Sequence, residues 1–302
     1  MRSSVKRLVR HWGCFALRCS GVPWLTRELC QRRKLTVLMF HEVDPEAFER
    51  HIRVLKARYN LVSLKDYLAV RDGSSQHDLP AKPLLITIDD GHKSNYRLLP
   101  VIRQHGVPVT IFICSGVVGT RRHFWFMSGL PCMTIERLKE LDDSERLQRL
   151  RRVGFDEELE HQERQALSRE EILEMKEFVD FQAHTVFHPI LPKCDDCRAG
   201  IEIGQCKSDL ESAYDLSVQS LSYPNGDYGE REVELARKTG YRCAFTVDYG
   251  FNTLATDPFK LKRIYISGDA SESELVIKAS GVWTMVRDAA RFVKKCFWFS
   301  PH

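Results

Sequence analysis

The sequence predicts an α/β protein built on a parallel sheet with crossover helices. Three observations carry this expectation. Seven short apolar runs, rich in β-branched residues and bounded by turn residues, recur along the chain. Segments with helical spacing separate them, and two of the runs end in side chains able to do chemistry.

The runs, read as buried strands, are Leu35 to Phe40, Leu84 to Ile88, Val109 to Cys114, Phe178 to Ala183, Val218 to Tyr223, Cys243 to Val247 and Leu261 to Ile266. Helical spacing covers Phe48 to Tyr59, Asn95 to His105, Arg169 to Glu177, Cys206 to Tyr214 and Arg231 to Thr239. Ser168 followed by Glu171 reads as a capping box, and Gly106 and Gly240 stand where a helix would stop. Alternation of this kind places the sheet in one layer, closed into a barrel or left open.

Length and composition bound the rest. A chain of 302 residues accommodates one α/β domain with added ends. The 43% hydrophobic and 10% aromatic shares are ordinary for a globular protein, and a mean hydropathy of −0.32 argues against a protein that crosses a membrane many times. The net charge of +4 is too small to imply a nucleic-acid partner. Its distribution is uneven: residues 1–34 carry nine Lys or Arg and one acid, Glu28, which suits an anionic partner such as lipid headgroups.

The ten cysteines are scattered and read as reduced thiols. The apolar stretch 12–25 is broken by Arg18, lacks a clean cleavage site and falls short of the ~20 residues a span requires. A cytoplasmic protein is expected, with its cationic end able to rest on the inner face of a membrane. Residues 1–34 therefore form a basic N-terminal segment and 35–270 the α/β domain, interrupted by a charged helical insertion at about 130–167. In the last segment, 271–302, Val282, Val286, Ala289, Val293 and Phe297 share a helical face, which either packs on the domain or lies in a membrane interface.

The chemistry begins at Leu84-Leu85-Ile86-Thr87-Ile88-Asp89-Asp90-Gly91, a strand that ends in two carboxylates. Adjacent carboxylates repel, so a divalent cation is one way to keep both ionised; a helix N-cap is the other reading. A second strand ends in His184-Thr185-Val186-Phe187-His188-Pro189, two histidines four residues apart beside a proline. Asp90, His184 and His188 together supply three ligands and leave positions open, as a catalytic rather than structural metal site does. Asp89 is then a natural general base.

Thr87-Ile88-Asp89-Asp90-Gly91 and His184-Thr185-Val186-Phe187-His188-Pro189 resemble, in order, the first two motifs of the polysaccharide deacetylase family, carbohydrate esterase family 4. Further likeness runs from about Val37 to Ile266 and includes Leu38-Met39-Phe40-His41 and Ser222-Tyr223-Pro224-Asn225-Gly226. The resemblance implies an irregular (β/α)7 barrel and removal of N-acetyl groups from an amino-sugar polysaccharide, oligosaccharide or lipid-linked glycan. It implies Asp89 as base, Asp90, His184 and His188 on a divalent metal, usually Zn2+, and a backbone N–H near Tyr223 for the oxyanion. Tyr223, Pro224, Asn225, Asp227 and Tyr228 lie on one loop after a strand and read as sugar contacts, or the Pro-Asn-Gly-Asp run is an ordinary turn.

The pattern departs from the family twice. Ser222 stands where the third motif begins with the Arg that orients the base, and the late Leu-x-His that supplies the general acid is replaced by Leu261-Lys262-Arg263. His41 ends the first strand and is the substitute acid, unless it only caps that strand; permuted relatives such as poly-N-acetylglucosamine deacetylases similarly draw a histidine from an N-terminal strand. Arg263 reads as an anchor for a carboxylate or for substrate, or as a structural ion pair. His92 lines the site or sits on an exposed turn. Cys194-x-x-Cys197 with Cys206 spells a zinc pattern without a second C-x-x-C, and a loop leading into a helix is the competing reading. Two other functions fit the same residues: hydrolysis of a different C–N bond, or sugar binding by a catalytically weakened relative.

Overall fold

A computed structural model describes residues 12–128 and 133–284. All seven apolar runs form strands: Thr36–Phe40 (β1), Pro83–Ile88 (β3), Val109–Ile113 (β4), Val179–Ala183 (β5), Ser220–Ser222 (β6), Cys243–Phe245 (β7) and Ile264–Tyr265 (β8). An eighth, Asn60–Leu61 (β2), was not legible because only two residues pair, alongside Pro83 and Leu84 of β3. Every ladder is parallel, in the order β7-β6-β5-β4-β3-β1-β8. Leu261, just before β8, bridges back to Phe245 of β7, so the ring closes into the irregular barrel expected.

Helices cover the outside. Val22–Cys30 (α1), Pro45–Lys56 (α2), Leu64–Arg71 (α3), Leu99–His105 (α4), Ile135–Glu140 (α5), Asp143–Arg151 (α6), Arg169–Met175 (α7), Asp196–Tyr214 (α8), Glu230–Thr239 (α9) and Glu272–Ala279 (α10) follow in order. Two differ instructively from the sequence expectation. The helix expected from Asn95 begins as a 3-10 turn, Lys93–Leu98, and becomes α-helical only where Pro100 takes a first-turn position. Helix α8 starts ten residues earlier than the expected Cys206, capped by Asp195 on the Arg198 N–H, so Cys194-x-x-Cys197 is its entry turn. Cys194 is buried and Cys197 exposed, which sets them apart from a shared zinc site.

The barrel interior is apolar at the end where the strands begin. Val37, Leu85, Phe112, Cys243, Phe245 and Leu261 pack there with Leu64, Tyr67 and Leu68 of α3, which plugs that end. Polar side chains gather toward the opposite end. Register explains this: Phe40 pairs with Ile88 and Ile113 with Ala183, so His41, Asp89, Asp90 and His184 all emerge on one rim.

The charged insertion is anchored rather than loose. Leu138, Leu150 and Phe155 are buried with Trp125 and Ile190 in a small core of their own, and Arg146 is fully buried. Its few apolar residues are spent on that contact. Of the expected C-terminal amphipathic helix, only residues up to Thr284 fall among those described, and Val282 is buried.

Candidate active site

Asp89 and Asp90 leave β3 in different directions because the backbone turns sharply between them. Asp90 has a positive φ of 74°, and Gly91 follows at 67°. A Cβ on Gly91 would meet Ile113 Cγ2 at 2.5 Å, so glycine is required by both conformation and space. Asp89 therefore points into the barrel and Asp90 toward its mouth.

Asp89 is buried and held by a bidentate ion pair. Arg263 Nη1 and Nη2 each lie 2.7 Å from one of its carboxylate oxygens. The same guanidinium donates to Ser222 Oγ (2.8 Å) and Thr246 O (2.8 Å), and Ser222 Oγ–H reaches Asp89 Oδ2 at 3.2 Å. Burial pushes the Asp89 carboxyl up, but the Arg263 and His184 charges outweigh it and hold the group below the ordinary carboxylate value. Among the expected readings of Arg263, the carboxylate anchor is the one observed. It is fully buried with its donors committed, so it does not meet substrate. Arg263, immediately before β8, thus supplies the charged partner to Asp89 that Ser222 cannot.

Asp90, His184 and His188 converge. Asp90 Oδ1 lies 3.4 Å from His184 Nε2 and 3.5 Å from His188 Nε2, and one ligand atom from each lies within 4.8 Å of the others. His184 Nδ1 lies 2.8 Å from Ser222 O, a contact that turns Nε2 toward the cluster. Asp90 Oδ1 and His184 Nε2 are buried and lack any hydrogen-bond partner. Orphaned acceptors of this kind in a carboxylate–imidazole set fit a divalent cation. Burial, and then the neighbouring His184 charge, drive the His188 imidazole down to about 3, so it is neutral at ordinary pH. Asp90 is held well below its usual value by the two imidazoles despite its burial.

The other expected residues divide. His41 is half-buried at the mouth, its ring edge-on to Tyr265 at 5.7 Å, close enough for its charge to act on Asp89, Asp90 and His188. Tyr223 is not open to a sugar: it is fully buried, its hydroxyl donates to Phe259 O at 3.2 Å, and its N–H is bound to Phe245 O. Pro224 is buried and Asn225 stands at the mouth with φ 54°. His92 is mostly buried and pairs with Glu42 at 2.8 Å on the rim. Residues the sequence did not single out include Trp125, whose indole N–H donates to His188 O at 2.7 Å, and Glu202, which accepts from the 186 and 187 amides. Both lie far from the motifs in sequence and carry no local signature.

Among the described residues, six non-glycine residues have positive φ: Lys82, Asp90, Thr185, His188, Asp215 and Asn225. Four of the six belong to this mouth, and strain concentrated in one place marks a site held for function.

The polysaccharide deacetylase family model matches residues 76–244, over half of the chain, so the protein belongs to that family, which acts on the N-acetyl amide bonds of sugars. More particularly, it is similar to a putative polysaccharide deacetylase, YxkH, of Bacillus subtilis, at 23% identity over 83% of this chain and 77% of that protein. The poly-β-1,6-N-acetyl-D-glucosamine N-deacetylase of Staphylococcus epidermidis is 20% identical over 77% of this chain and 71% of that protein. The fold matches that of the Streptococcus pyogenes deacetylase PplD, solved with acetate, with a TM-score of 0.60 and 20% identity over 82% of this chain and 99% of that one.

Proposed function

We propose that the protein removes N-acetyl groups from an amino-sugar polysaccharide, with Zn2+ as the metal. The observation that carries this is a spare carboxylate, Asp89, kept ionised beside a three-ligand cation site. A sugar-binding relative has no use for a buried carboxylate matched to its own arginine. Metal dependence is a property of the family, and Asp90, His184 and His188 would hold the ion. When bound, the ion would supply Lewis acidity toward the acetamide carbonyl and make a water more acidic.

The chain's own residues supply the rest. Asp89 takes the proton of the attacking water, and Arg263 keeps it ionised and aimed. His41, open to solvent at the mouth, gives a proton to the leaving amine. The Tyr223 N–H is engaged and Pro224 has none, so Asn225 offers the next N–H on that turn toward the developing oxyanion. Hydrolysis of a different C–N bond is the competing reading.

The decisive measurement is acetate release from N-acetylglucosamine oligomers. Chelation should abolish it, Zn2+ should restore it, and Asp89→Asn should lower it by about 10²- to 10⁴-fold while metal still binds. Full activity in Asp89→Asn would remove the base assignment, and release from small amides alone would favour the competing reaction.

We also propose peripheral contact with an anionic membrane. Trp12, Phe15, Val22, Trp24, Leu25 and Leu29 are all exposed within one short stretch, in a segment whose charge is strongly basic. Among the described residues no helix is long and apolar enough to cross a membrane. Glu28 pairs with Lys82 (3.0 Å), just before β3, so this surface lies where the strands begin and the mouth faces away. Sedimentation with anionic vesicles should capture the protein and lose the doubly substituted L25E/L29E chain. Equal capture of both, or none of either, overturns the contact.

A further inference from the structure

Behind the His184–His188 loop lies a set of buried charges that the proposed reaction does not use. Glu202, on α8, is fully buried. Its Oε2 accepts the N–H of Val186 at 2.7 Å and of Phe187 at 2.9 Å, while its Oε1 lies 2.8 Å from Arg198. Arg198 donates to both Glu157 oxygens at 2.7 Å and stands 3.7 Å from Asp143, which pairs with the fully buried Arg146. The Arg146 guanidinium lies 4.5 Å from the Trp125 ring centroid, and the Trp125 N–H donates to His188 O. The chain of contacts leaves the loop at residues 186 and 187, crosses the insertion and returns to it at residue 188.

The two histidines differ in what holds them. The His184 ring is pinned through Nδ1 to Ser222 O. The His188 ring has no such tether: its Nδ1 is buried without a hydrogen-bond partner, and the ring rests against Phe126 at 4.8 Å. Its position is therefore set by its backbone, and that backbone is in an unfavourable conformation, with φ of 58° at His188 and 66° at Thr185. Such residues keep these angles only where surrounding contacts over-determine them. Glu202 grips the two amides before His188 and Trp125 grips the carbonyl of His188 itself.

We infer that Glu202 and Trp125 are positioning residues for His188, and that the helical insertion is the strut joining them, so that the insertion sets metal affinity without touching the metal. This rests on the metal site proposed above. Partners behind metal ligands typically change affinity by about 10- to 100-fold when removed.

The test uses the full chain, stripped with chelator and titrated with Co2+ or, in competition with a chromophoric chelator, with Zn2+. Trp125→Phe keeps a ring and removes the N–H; Glu202→Ala removes the one oxygen that accepts both amides. Each should raise the metal dissociation constant about tenfold or more. Glu202→Gln, which retains an acceptor oxygen for the two amides, should recover part of the loss. A merely structural role would lower the melting temperature of the metal-free protein and leave the affinity of the folded protein alone. Wild-type affinity in folded Trp125→Phe overturns the inference, and that variant decides the matter if Glu202→Ala does not fold. A wild-type chain that binds no metal fails differently, removing the metal site and this inference together.

Discussion

The two halves of the site are held by opposite means. The proposed base is fixed side chain to side chain, by one ion pair between Asp89 and a residue 174 positions later. The His184–His188 loop, the proposed ligand loop, is fixed largely through its backbone, by contacts spread over the insertion and α8. Concentrated support is efficient and brittle. Distributed support tolerates the loss of a member but asks more of the fold around it.

Breaking the concentrated half should have the largest effect. In Arg263→Met, Asp89 would remain buried with only the Ser222 hydroxyl as partner. Removing one member of a buried pair costs about 3–5 kcal/mol. Asp89, now governed by burial, would rise above its ordinary value of 3.8 instead of lying below it. Two readouts should move together: a fall in urea stability of that size, and an upward shift of the acidic limb of the kcat/KM profile. Arg263→Lys keeps the charge without the two-pronged geometry and should fall between. An unshifted acidic limb in Arg263→Met would show that Asp89 does not depend on this arginine. Ser222→Ala removes the 3.2 Å bond to Asp89 and the 2.8 Å bond accepted from Arg263, and should cost about 1–3 kcal/mol.

The same contrast explains what was legible from sequence. The strands were readable because parallel buried strands are continuous apolar runs, and β2 escaped because its pairing is only two residues long. Asp89-Asp90-Gly91 and His184 to His188 were readable because each is contiguous and follows a strand. The partner of the proposed base was legible only as one of several readings, since nothing about Leu261-Lys262-Arg263 decides whether the third residue turns inward to the carboxylate that follows β3, toward substrate or into a structural pair. Only the closure of the ring, Leu261 against β7 and Ile264 against β1, puts it there. Tyr223 fails in the other direction: its place on a loop after a strand suggested a sugar contact, but strand alternation sends its ring outward into the core. The glutamate and tryptophan behind His188 belong to a helix and an insertion whose docking no local pattern encodes.

A smaller effect separates the two halves by pH. Asp89 and Arg263 balance in charge, whereas the cluster behind His188 sets three acids, Asp143, Glu157 and Glu202, against two arginines, Arg146 and Arg198. The surplus falls on Glu157. Burial pushes its carboxyl up to about 7, the Arg198 charge opposes this, and the Glu202 and Asp143 charges add to it. The sign follows from linkage. Asp89, lowered on folding, contributes stability that is present above its ordinary value and lost as pH falls through the folded value. Glu157, raised from 4.5, does the reverse: the folded state binds the extra proton, so its contribution is complete below 4.5 and is lost as pH rises to about 7. A shift of that size is worth roughly 1–3 kcal/mol. Urea unfolding of the wild type and of Glu157→Gln at pH 5 and pH 8 isolates this term, because Asp180, raised to about 6 by burial, titrates alike in both chains. The wild type should lose more stability than the variant between the two pH values. Parallel losses would place the surplus proton elsewhere in the cluster, on Glu202, whose carboxyl burial also raises.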